Sequence, residues 1–182
     1  MSVSRTEALW GSEGQEILAD GRVAVVGLGL LGTEVAKALV TLGIGQVVLI
    51  DQIRNHRGEL FLDQPCQPGF SRTESLQTHL VSCFGTRSRI IALHACPSKT
   101  MIRLLPVDVI IDCTNDPACH ELSFGIAQQS DIALFTACAD ERRGEIGFFC
   151  TQLPSRCTPV TEGFADADQG SLISSVLCGV LV

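Results

Sequence analysis

Gly27, Gly29 and Gly32 stand in a G-x-G-x-x-G run, Gly27-Leu-Gly29-Leu-Leu-Gly32, and this spacing suits one kind of chemistry, the cradling of phosphate. The first glycine permits a tight turn. The second lets the backbone approach a phosphate, where a Cβ would intrude, and the third lets a following helix pack closely on the preceding strand. A helix that starts at Leu30 and Leu31 would aim unpaired N–H groups and a partial positive charge at the anion. Asp51 closes the next apolar stretch and is an acceptor suited to ribose hydroxyls. The pattern by itself does not separate NAD from ATP.

The elements needed to position these residues are legible nearby. Arg22–Gly27 is a short, almost wholly apolar run, as a strand covered on both faces should be. Leu30–Leu42 has helical spacing and ends at Gly43, a good C-cap. Gln46–Asp51 reads as the second strand. Further strands are expected at Ile90–His94, Val107–Asp112 and Ile132–Thr136, with a later antiparallel strand at Glu145–Thr151. Helices are expected at Glu13–Ala19, at Ser71–Phe84, where Ser71 and Glu74 form a capping box, and at Pro117–Gln129. Residues 52–70 read as an irregular loop, long enough to suggest a functional role. Residues 154–169 read as loop, and 171–182 as an apolar segment that could begin a helix.

Strands alternating with helices imply an α/β, doubly wound, Rossmann-like fold. Its sheet is mainly parallel, with helices on both faces and one antiparallel strand after the fifth. Ligands of such sheets sit at the carboxyl ends of the strands. The 182 residues fit a single domain.

Composition excludes several classes. Hydrophobic residues make up 46% and charged residues 18%, which is ample for a core and rules out global disorder. A net charge of −7 argues against a general nucleic-acid binder. No apolar run is long enough to span a membrane, and the first fourteen residues contain no signal-peptide core, so a cytoplasmic location is expected. The nine cysteines are scattered without a CxxC pair, so they read mostly as reduced core thiols. His94 and Cys96 share a strand face and read as buried packing rather than as a metal site. Cys119 and His120 are adjacent on a helix and diverge by about 100°.

The flanks of the glycine turn carry a resemblance. Glu13-Gly-Gln-Glu16 leading into the turn, and Asp112-Cys-Thr-Asn-Asp116 followed by a helix and an Ile-Ala-Leu-Phe strand, resemble the ubiquitin-activating E1-like superfamily, the ThiF/MoeB/HesA group. The likeness runs from about Gly11 to the end. It implies an enzyme that binds ATP with magnesium and converts a carboxylate to an acyl-adenylate. The acceptor would be the C-terminal glycine of a ubiquitin-like sulfur carrier or a small cofactor-precursor carboxylate. By the same resemblance, Arg57 and Arg72 would neutralise the phosphates and Asp116 would serve magnesium. Gly27, Gly29, Leu31, Gly32, Asp51, Asn55 and Asn115 would complete the nucleotide site. The resemblance also implies a homodimer, in which Arg5 is the one arginine before Gly11 that could reach the other chain.

Departures from the family pattern are specific. Ile53 replaces a second acid, Arg72 stands where a lysine is usual, and Asn115 and Asp116 are exchanged in order. Pro154 stands where Cys157 would need a partner, so no zinc site is expected. Cys138 and Cys157 are the least implausible thioester cysteines. Two other readings stay open: a degenerate relative that binds nucleotide or a partner without turnover, and an NAD(P)-dependent oxidoreductase. The second lacks a hydride-site constellation, and the chain has no tyrosine.

Overall fold

The computed structural model describes residues 5–55, 60–61, 64–65, 68–85, 87–98, 106–139 and 144–150. Arg57, Cys157 and the segments 154–169 and 171–182 lie outside the described residues.

The chain opens with α1 (Arg5–Asp20), broken by Gly11 at φ 70°. Then come β1 (Arg22–Val26), α2 (Leu30–Leu42) and β2 (Gln46–Asp51). A two-residue pair, β3 (Leu60–Phe61) and β4 (Gln64–Pro65), forms a small antiparallel ribbon within the segment expected to be irregular. After it come α3 (Arg72–Phe84) and β5 (Arg89–His94), then β6 (Val109–Asp112), α4 (Pro117–Ser130), β7 (Ala133–Ala139) and β8 (Gly144–Phe149).

Six of these strands form one sheet in the order β5-β2-β1-β6-β7-β8. All neighbours are parallel except β7 and β8. The expected doubly wound α/β sheet with a late antiparallel strand is therefore what forms. Alternation within β1 shows why both faces are covered. Val23 and Val25 enter one core with Val35, Leu39, Leu76 and Leu80 of α2 and α3. Ala24 and Val26 enter the other with Ile126 and Ala127 of α4. In β2 all six residues are buried, the pattern of a central strand sandwiched between helix layers.

Several boundaries shift from the sequence reading. Helix α1 extends well before Glu13, β7 runs past Thr136 to Ala139, and β8 starts at Gly144 and ends at Phe149. Val107 and Asp108 fall outside β6, because Asp108 is occupied with Arg22. It accepts from the Arg22 amide and guanidinium, and its own N–H donates to the Arg22 carbonyl. Ser71 caps α3 as expected, accepting from the Glu74 N–H. The Glu74 carboxylate accepts from the Ser71 hydroxyl at 2.5 Å, rather than from the Ser71 backbone as in a full capping box.

The cysteines depart from the core-thiol expectation. Of those described, Cys113 alone is buried, Cys83 and Cys96 are exposed, and Cys119, Cys138 and Cys150 are intermediate. His94 and Cys96 are likewise exposed rather than packed inside, because they lie at and beyond the end of β5, the edge strand. Among the described residues no helix is long and apolar enough to cross a membrane.

Candidate functional site

The sheet reverses direction between β1 and β6. From β1 the chain winds outward through β2 to β5, then returns to lay β6 on the other side of β1. The carboxyl ends of β1 and β6 are in register, Val26 opposite Asp112. In a doubly wound sheet this reversal is the expected place for a ligand. Gly27 leaves β1 there packed against Cys113-Thr114, which leave β6.

The three glycines of the turn are required for different reasons. Gly27 has φ 82°, and a Cβ there would lie 2.6 Å from Thr114 Cγ2. A Cβ on Gly32 would collide with the Gly27 carbonyl oxygen. Both are demanded by the fold. Gly29 is not: its φ is −69°, and no described atom lies within 4 Å of where its Cβ would be. It is exposed, and as the N-cap of α2 it offers no side-chain acceptor. The first-turn amides of α2, from Leu30 through Leu31 to Gly32, therefore have neither a helical partner nor a cap. That arrangement fits an anion held by backbone amides.

Asp51 holds this turn in place. It is 5% exposed, and its Oδ2 accepts from Leu28 N–H at 2.7 Å while Oδ1 accepts from Ile53 N–H at 2.6 Å. The Ile53 carbonyl then accepts from Arg72 N–H at 3.2 Å. One carboxylate thus links the glycine turn, the loop after β2 and the start of α3.

Arg72 is the first residue of α3. A cation at a helix N-terminus is unfavourable to the helix itself, and a nearby anion would offset that cost. Asn55 is buried, 3% exposed, with Nδ2 donating to Ser75 Oγ at 2.9 Å. Its Oδ1 is buried with no protein partner among the described residues. The structure brings Asn55 and Arg72 to the same loop pairing, in which Arg54 bridges Ser71 and Asn55 N–H donates to Phe70 O.

Beyond the end of β6, Asn115 and Asp116 are exposed. Asp116 caps α4: its Oδ1 accepts from Ala118 N–H at 3.0 Å and its Oδ2 from the Cys119 thiol at 3.4 Å. Burial, and then the Asp116 carboxylate, push the Cys119 thiol up to about 11. Burial first, then Asp112, push the Cys113 thiol up to about 12. Neither is poised as a nucleophile. Among the described residues no group of three or more metal-ligating side chains converges.

A network that the sequence reading passed over lies beneath this loop. Asp112 is fully buried. Its Oδ1 accepts from Thr114 N–H at 3.0 Å and Thr114 Oγ at 2.7 Å, and its Oδ2 from Ser123 Oγ at 2.7 Å. His120 Nε2 lies 2.6 Å from the Thr114 carbonyl and 3.6 Å from Asp112 Oδ1. The signal was available: an acid ending a buried strand needs donors, and Ser123 and His120 face back from the next helix.

Comparisons with known proteins agree with this fold. The "Adenylyltransferase and sulfurtransferase UBA4" of Yarrowia lipolytica is 26% identical over 145 residues, covering 77% of this chain and 36% of that protein. Among solved structures, the E. coli tRNA N6-threonylcarbamoyladenosine dehydratase TcdA in complex with ATP superposes with a TM-score of 0.62 at 19% identity, covering 75% of this chain and 61% of that one. E. coli MccB superposes with a TM-score of 0.64 at 17% identity, covering 91% and 48%. These two show a shared fold, and the chain spans about a third to three fifths of the length of these proteins. The model of the ThiF family matches residues 3–175, almost the whole sequence, and the chain belongs to that family.

Proposed function

We propose that this chain binds ATP on the turn at Gly27–Gly32 and uses it to activate a carboxylate as an acyl-adenylate. The observation that carries this reading is Gly29. It is the one glycine of the turn that the protein's own packing does not require, and it sits before uncapped helix amides. A glycine where the fold leaves room for a side chain leaves that space, in front of the helix amides, for an anion to come close. Membership of the ThiF family, the adenylyltransferase name of the Yarrowia relative and the ATP bound to TcdA all support a nucleotide there.

In the proposed reaction a carboxylate oxygen of the acceptor attacks the α-phosphorus, and the bond to pyrophosphate breaks. Two anions meet, so positive charge must offset their repulsion. Arg72, with Arg57, which follows β2 in the sequence, supplies that charge, and the α2 amides hold the phosphates. Magnesium, when bound, would further neutralise the phosphates. Asp116, exposed beside Asn115, is the acid that would hold it, directly or through water. The acceptor class is the C-terminal glycine of a ubiquitin-like sulfur carrier or a small cofactor-precursor carboxylate, and the working form is a homodimer.

Carboxylate-dependent exchange of labelled pyrophosphate into ATP tests the reading directly, across a panel of ubiquitin-like proteins and small acids. Exchange with at least one acceptor is expected. A second reading, nucleotide binding without turnover, is favoured by one observation: both Asp116 oxygens are already engaged by α4. ATP binding with no exchange for any acceptor would establish it. Binding of NADH in place of ATP would overturn both.

A further inference from the structure

We propose that His79 and Cys83, one turn apart on α3, form a two-ligand site for a divalent cation of the zinc type, held by one imidazole and one thiolate with water in the remaining positions. The site is independent of the nucleotide reading above. It is also distinct from the closed, four-ligand zinc site that Pro154 argues against.

A helix brings residues i and i+4 onto one face. On α3 this sets His79 Nε2 3.6 Å from Cys83 Sγ. Zinc bonds thiolate at about 2.3 Å and imidazole at about 2.0–2.1 Å, and at a tetrahedral angle those bonds hold sulfur and nitrogen about 3.6 Å apart. The pair already stands at the separation at which one cation can bond both. In the tautomer with its proton on Nδ1, His79 takes the thiol proton of Cys83 as a hydrogen bond, so the two ligand atoms face one another. A cation replaces that proton, which leaves to solvent, and forms one bond to Sγ and one to Nε2.

The surroundings suit a cation with a partial water shell. Cys83 is exposed and His79 half-buried, so solvent reaches the pair. The last turn of α3 carries no basic side chain, which leaves the negative end of the helix dipole without a cation to match it. The Ser82 hydroxyl is directed to the His79 carbonyl at 2.7 Å and leaves the sulfur open. Among the described residues no group of three ligating side chains converges, so this is an exchangeable site rather than a closed structural one. Cys83 lies eleven residues after Arg72, roughly 16 Å along the helix axis. It is near the amino end of β5, away from the glycine turn. Magnesium would not compete, because it prefers oxygen ligands to thiolate and imidazole.

Titration of the whole, reduced chain with cobalt(II) in the absence of nucleotide tests this. Cobalt should give a thiolate-to-metal charge-transfer band that zinc abolishes and magnesium does not. Cys83→Ser should remove that band, and His79→Ala should weaken cobalt binding about tenfold or more, since one of two protein ligands is lost. Cys96→Ser, which changes another exposed thiol, should leave the band as it is. Zinc should also raise the thermal midpoint of the unmodified chain and not that of Cys83→Ser. Both substitutions are on the outside of α3, and midpoints without metal check that the variants fold. No band in the unmodified chain, a band undiminished in Cys83→Ser or lost in Cys96→Ser, or an equal zinc shift in both proteins would overturn the site. Full binding by His79→Ala would show a thiol acting alone and would overturn the pair.

Discussion

Leu28 N–H donates to Asp51 Oδ2 at 2.7 Å, and through this bond the end of β2 sets the shape of the turn that follows β1. The two residues are 23 positions apart, and both are buried. The turn is therefore not a local motif resting on glycine alone. A charged acceptor from the neighbouring strand fixes it, and the same acceptor reaches Ile53 and hence the first residue of α3.

The three glycines should respond differently to a methyl group. Gly29→Ala meets no neighbour and should shift stability by no more than about 1 kcal/mol, the scale of an N-cap change. ATP affinity should nevertheless fall about tenfold or more, since the Cβ enters the space the phosphate needs. Gly32→Ala drives a Cβ into the Gly27 carbonyl and should cost about 3 kcal/mol of stability. Urea melts beside ATP calorimetry separate the two. A Gly29→Ala protein that binds ATP normally would remove the phosphate from this turn.

Arg57→Ala and Arg72→Ala should each lower pyrophosphate exchange about a hundredfold while weakening ATP affinity far less. The repulsion that they offset is greatest when the carboxylate reaches the α-phosphorus. Arg72→Lys keeps the charge and should retain most activity. Parallel measurement of exchange rate and ATP affinity checks the split, and an equal loss in both would make the arginines simple ligands of the ground state.

Asp112→Ala should destabilise the fold by about 3 kcal/mol, because it strands Ser123 Oγ and frees Thr114, which packs against Gly27. Ser123→Ala removes one donor from a buried carboxylate and should cost about 1–3 kcal/mol. Chemical denaturation measures both. If Asp112→Ala melts at the unmodified midpoint, the network does not support the loop after β6.

Cys113 gives an alkaline signature. Its thiol, normally titrating at 9.0, is raised to about 12 by burial. The folded state therefore keeps a proton that the unfolded chain releases first. The stability from this group is complete below pH 9 and is lost as pH rises from 9 to 12, by about 1.4 kcal/mol per unit. Cys113→Ala should flatten that limb of the stability profile. An unchanged alkaline slope in the variant would show that the buried thiol does not titrate with unfolding.

The sequence alone determined the strand–turn–helix, the alternation of β and α, and the family. Each depends on local order: apolar runs of strand length, a glycine spacing that only one backbone path satisfies, and a serine three residues before a glutamate. It also placed Gly27, Gly29, Gly32 and Asp51 at one end of the sheet, because parallel strands joined by helices must end together. What only the tertiary structure decided is which of these residues the protein's own packing and hydrogen bonds engage and which they leave open. Gly27 and Gly32 are required by Thr114 and by each other, while Gly29 is left open. Asp51 turns inward to two amides, and Asp116 turns back onto its own helix. A hydrogen bond is made by whichever donor the fold brings within 3 Å, and for Asp51 and Asp112 the deciding donors come from other elements, up to 23 residues away.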